Sequence, residues 1–152
     1  MGLFGGMKNF LTGGGAKVDL EIGSIVRGES VPVKVTAEID DKDMEVRNVY
    51  VRLRAQEVID IPDVELAPPN PKAEPPRGLK RTHQTFNQEF RIAGSQTLKG
   101  GGTYEFEGEV TLPAQVSPSF VGRYASHVWQ VTAALDKTGN DPDSGWVEVQ
   151  VF

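Results

Sequence analysis

Side chains able to do chemistry are few in this sequence. Its 152 residues hold two histidines, His83 and His127, and no cysteine. Without cysteine there is no thiolate nucleophile, thiolate metal site or disulfide frame. The two histidines stand in separate alternating runs, without the spacing by which imidazoles ligate one metal. Ser117, Ser119 and Ser126 offer hydroxyls, but no G-x-S-x-G elbow in a strand–turn–helix context surrounds them. A triad assembled only in space stays open at this level. His127 keeps the phase of Trp129 and Val131, so an inward, structural histidine is expected there. No phosphate-binding glycine loop occurs, and Gly100-Gly101-Gly102 reads as a hairpin connection. Asp40-Asp41-Lys42-Asp43 and the run from Asp136 to Asp143 gather oxygens that calcium would accept. Neither has the spacing of a calcium loop, and Asp and Asn are ordinary turn residues. The expectation is a chain with no catalytic residue, no metal and no cofactor.

Charge narrows the partners. Sixteen Lys+Arg against 21 Asp+Glu give a formal charge of −5, which disfavours nucleic acid, whose phosphates need a cationic surface. Lys34, Arg52 and Arg54 lie on the outward phase of two alternating runs. If those runs are neighbouring strands, the three form a small basic patch for an acidic or phosphorylated segment; otherwise they keep a sheet face soluble. Glu105, Glu107 and Glu109 make an outward acidic ladder, and Arg81, His83, Glu89 and Arg91 occupy the outward phase of the preceding run. A hairpin across residues 93–102 would let these two sets pair.

The elements that must position these groups are strands. Apolar residues alternate at Val31–Ala37, Val49–Ala55, Tyr104–Leu112, Trp129–Leu135 and Val147–Val151, with weaker runs at Val18–Ile22 and Phe86–Ile92. Period two is the mark of half-buried strands. About seven such strands, each with one dry and one wet face, predict an all-β antiparallel sandwich over residues 15–152; a barrel is the alternative. Pro62, Pro68, Pro69, Pro71, Pro75 and Pro76 mark residues 62–80 as an extended, exposed loop without ladder pairing.

Residues 1–14 form a separate head. Leu3, Phe4, Met7, Phe10 and Leu11 recur on one face of a short amphipathic helix. A helix this short needs a surface to lie on, either a groove on protein or a lipid interface. Only Lys8 and Lys17 would attract anionic lipid. The segment lacks the charged and apolar regions of a signal peptide, and Gly6 stands where a myristoylation motif wants Ser or Thr. A cytoplasmic protein is expected, with peripheral membrane attachment through the head as the variant.

The order of Gly15-Ala16-Lys17-Val18-Asp19, Arg27-Gly28-Glu29-Ser30-Val31, Leu112-Pro113, Ser117-Pro118-Ser119-Phe120, Gly122 and Trp129-x-Val131-x-Ala133-x-Leu135-Asp136 resembles the amino-terminal sandwich of arrestin-like proteins. It looks closest to their bacterial sporulation-control branch. That resemblance implies an immunoglobulin-like sandwich acting as a regulatory binding protein, not an enzyme, in sporulation or stress control. Its partners would be proteins, engaged through sheet edges and loops, with a homodimer through a sheet edge and a membrane surface as further partners. Arrestin-like proteins commonly carry two sandwiches in tandem; the run ending at Phe152 is read as one sandwich, either a single module or a piece of something longer, which argues against a two-domain clamp. A peripheral membrane module and a structural sandwich of a larger assembly are the competing readings.

Overall fold

In the computed structural model the structure describes residues 11–68 and 70–152, with backbone alone for residues 11–13. All regular elements among them are strands, and no helix occurs among the described residues. They are β1 (Leu11–Gly13), β2 (Ala16–Ile22), β3 (Ser30–Ile39), β4 (Met44–Val46), β5 (Asn48–Glu65), β6 (Arg77–Ala93), β7 (Gln96–Leu98), β8 (Thr103–Thr111), β9 (Phe120–Val121), β10 (Ala125–Asp136) and β11 (Val147–Val149). The runs read from alternation correspond to β2, β3, β5, β6, β8, β10 and β11. The other four, β1, β4, β7 and β9, carry too few residues to show a period.

Two antiparallel sheets make the body. One has the order β1-β2-β3-β8, and the other β11-β10-β5-β6, with β9 also paired to β10. β4 and β7 form a small ladder of their own. The inward phase of each strand supplies the layer between the sheets. Val18 and Leu20, Val33, Val35 and Ala37, and Phe106 and Val110 come from one sheet; Val49, Val51 and Leu53 with Trp129, Val131 and Leu135 come from the other. Trp129 is 1% exposed. Its ring meets Phe86 at 5.1 Å and His127 edge-on at 5.7 Å, while Nε1–H donates to the Ser117 carbonyl at 2.9 Å. A buried indole is thereby left with no unmet donor.

Three expectations are corrected by this topology. The proline-rich stretch is not an unpaired loop over 62–80. β5 and β6 continue pairing past it, with Asp60↔Lys80, Ile61↔Leu79 and, after an irregularity that absorbs Pro62, Glu65↔Arg77. The prolines at 68, 71, 75 and 76 are confined to the tip, where a missing N–H costs no ladder bond. Second, β6 and β8 do not form a hairpin across residues 93–102, because β6 pairs β5 and β8 pairs β3. The chain crosses between sheets there, using β7 on the way. Third, Leu11 belongs to a strand, paired with Val18 through the Gly14–Gly15 turn, so the head does not extend as a helix to residue 11. The helical reading of Leu3, Phe4, Met7 and Phe10 lies outside the described residues.

Candidate functional site

β5 and β6 outrun the rest of their sheet. β10 accompanies β5 from Asn48 to Ile59, whereas β5 and β6 stay paired out to Glu65 and Arg77. The surplus projects as a two-stranded arm. Side chains directly opposite in a ladder share a face, so the register says which residues cover the arm's inner side. Trp129↔Ala55 is in the core; one step further come His127↔Glu57 and Ala125↔Ile59. On β6 the same side carries His83, Arg81 and Leu79 opposite Glu57, Ile59 and Ile61, and β9 places Phe120 opposite His127. What is core side under Trp129 is open here. Ile59 is 42% and Phe120 54% exposed.

Local structure explains each placement. Gly122 turns β9 into β10; its amide donates to the Ala125 carbonyl at 2.7 Å. A Cβ there would stand 2.7 Å from Phe120 Cζ, so glycine leaves room for the ring to fold back over the turn. The Asp60 amide donates to the Tyr124 carbonyl at 2.9 Å, tying this turn to the arm. A register shift between Ala55 and Gln56 leaves Thr85 as an extra residue on β6, a bulge that bends the edge strand. Among the described residues no strand pairs with the far side of β6, so its backbone groups there are available as a template for an added strand.

His127 forms the floor between core and overhang. Its Nδ1 lies 2.9 Å from the Pro118 carbonyl and Nε2 2.7 Å from Thr85 Oγ1. A carbonyl only accepts, so Nδ1 carries the hydrogen, and in the neutral ring Nε2 accepts from the Thr85 hydroxyl. Both nitrogens are occupied, and the side chain is buried. His127 is therefore structural, in line with its sequence phase. His83 is exposed and sits on the overhang rim opposite Glu57.

The remaining candidates do not converge. Lys34 lies on β3 of one sheet and pairs with Glu105 at 3.2 Å; Arg52 and Arg54 lie on β5 of the other. Arg52 bonds Glu89, while Arg54 stacks over Trp146 at 3.8 Å and donates to Gln130 Oε1 at 2.9 Å. The three are not one basic patch, because their strands belong to opposite sheets. The acidic turns hold themselves together. Asp136 takes Arg47 and Asn48, and Asp141 takes the Tyr50 hydroxyl and the Lys137 amide. Burial, then the bond to Asp141, pushes the Tyr50 hydroxyl up to about 12. The Gly100 amide and then Lys99 hold Asp43 below the usual carboxylate range. No group of three or more His, Asp or Glu among the described residues is placed to hold a metal ion.

Sequence reading missed the overhang. Ile59, Ile61 and Leu79 sit among polar and proline residues without a clean period. The signal that would have found them is in-phase continuation of the Val49–Ala55 alternation through Glu57, Ile59 and Ile61.

No family model matches the chain, and no curated protein matches it. Among solved structures, the fold is similar to that of the sporulation control protein Spo0M from Bacillus subtilis, with a TM-score of 0.59 at 23% identity. The match covers 91% of this chain and 49% of that one, so the chain spans about half the length of the protein it resembles. At this identity the likeness concerns the fold alone.

Proposed function

We propose that this chain is a non-enzymatic, regulatory protein-interaction module of the arrestin-like kind, working in the cytoplasm, and that it receives an extended segment of a partner protein at the overhang of β5 and β6. The supporting observation is the exposure of Ile59 and Phe120 on the sheet side that is dry core one step away. An apolar floor rimmed by Glu57, Arg81 and His83 suits a segment with alternating apolar side chains. The open backbone of β6 supplies main-chain bonds, and the apolar positions supply selectivity. The similar protein is a sporulation control protein; extending a regulatory role of that type to this chain rests on the likeness of fold.

The experiment is capture of binding proteins by the full chain and by Ile59→Asp with Leu79→Asp. A partner engaged at the overhang drops by about an order of magnitude or more when its apolar anchors are lost. Equal capture by both chains, with the fold unchanged by tryptophan fluorescence, rejects the overhang as the site. A second copy of the chain on the β6 edge would appear as a dimer that the same double substitution disperses.

A further inference from the structure

The two sheets leave two strand edges open on one flank of the body. Among the described residues β8, like β6, ends its sheet with no strand paired to its far side. The two edges lie close together: a Cβ at Gly108 of β8 would stand 3.0 Å from Ile92 Cδ1 of β6. Within one chain they do not pair, since β6 takes β5 and β8 takes β3. An open edge is a template for a further strand, and natural proteins guard it with charge. Here the two guards differ in sign.

β8 carries Glu105, Glu107 and Glu109 and no Lys or Arg. All three are exposed on the outer side of their sheet, because Phe106 and Val110 of the other phase enter the core. The neighbouring β3 offers one cation, Lys34, which meets Glu105 at 3.2 Å. β6 carries Arg77, Lys80, Arg81 and Arg91 against one carboxylate, Glu89, which Arg52 already holds. Lys80 and Arg91 stand on its outer side, in phase with Arg52, Arg54 and Asp60 of β5. β8 laid on β8 of a second copy sets glutamates against glutamates, and β6 laid on β6 sets cations against cations. Like charges directly opposite destabilise a ladder. β6 against β8 is the pairing that charge favours.

We propose that two copies of this chain associate through these edges, β6 of each against β8 of the other, so that both sheets continue across the contact. Because the edges share a flank, a two-fold axis along the strands sets both pairings at once, and the contact closes on itself. Outer side then continues outer side, so Glu107 and Glu109 join the side of β6 that bears Lys80 and Arg91. The charges are exposed, so rising salt loosens the pairing. β6 is also the edge offered to a partner segment at the overhang. On that reading, which the pairing itself does not need, the second copy and the partner compete for one strand.

Sedimentation of the full chain over a concentration series is expected to show monomer passing to dimer, with the midpoint moving to higher concentration as salt is raised. Glu107→Lys with Glu109→Lys, and separately Lys80→Glu with Arg91→Glu, should each weaken the dimer by about a hundredfold or more. Mixed in equal amounts, the two variants should associate again, because each supplies at both pairings the sign the other lacks. That rescue would also show both variants to be folded. A chain that stays monomeric at every concentration overturns the pairing. So does a mixture that fails to associate although the tryptophan fluorescence of both variants is unchanged. A dimer that these charges leave intact and Ile59→Asp with Leu79→Asp disperses belongs to the overhang, and overturns it too. A dimer unmoved by salt overturns the part given to charge. None of the four substituted positions is an apolar anchor of the overhang, so loss of the dimer and loss of partner capture are separate outcomes.

Discussion

The two halves of β5 have one alternation and two fates. From Val49 to Ala55 its inward side chains are fully buried between two sheets; from Glu57 to Ile61 the same phase faces outward from the end of the body. Both halves pair with β6, across one bulge between Ala55 and Gln56. The difference is the reach of β10 and of the opposing sheet. A strand becomes core only as far as its neighbours extend, and beyond that the same pattern is a binding surface.

That contrast can be broken at graded depths. Trp129→Ala removes the largest buried side chain and should cost about 3–5 kcal/mol in urea unfolding. A loss under about 1 kcal/mol would mean the core is less closed than described. Thr85→Val, at the boundary, leaves Nε2 of buried His127 without its partner and should cost about 1–3 kcal/mol. Alkaline pH reports on the outer side of the closed half. The folded Tyr50 hydroxyl titrates at about 12 rather than near 10, so the unfolded chain loses its proton first. Its contribution is complete below pH 10 and fades as pH rises from there through about 12. Tyr50→Phe should flatten that decline in a pH series of melting curves. Ile59→Asp comes last: stability should change by no more than about 0.5 kcal/mol while partner capture fails. If it destabilises as a core substitution does, the overhang is core and the contrast collapses.

Legibility followed burial. Trp129, His127 and the inward valines could be read because a strand between a wet and a dry side writes its period into the residues. The order of turns and prolines was enough to find an arrestin-like resemblance. Sheet membership was not legible, because alternation says which residues share a face but not which strands share a ladder. Hence Lys34 and Arg52 looked like neighbours although their strands lie in different sheets, and the acidic ladder of Glu105–Glu109 was matched to β6 instead of β3. Composition also misled at the arm: prolines at its tip masked the pairing of Ile61 with Leu79.

The pairing of β3 with β8 sets the order in which the molecule can be made. It joins residues 30–38 to residues 103–111, with the whole β5–β6 hairpin in between. The hairpin can close on itself as soon as it leaves the ribosome, whereas β3 must wait, half-paired with β2, for β8. Such distant contacts place refolding in the range of roughly milliseconds to seconds. Until β8 arrives, β3 lacks one of its two strand partners, and its valine face has no β8 beside it.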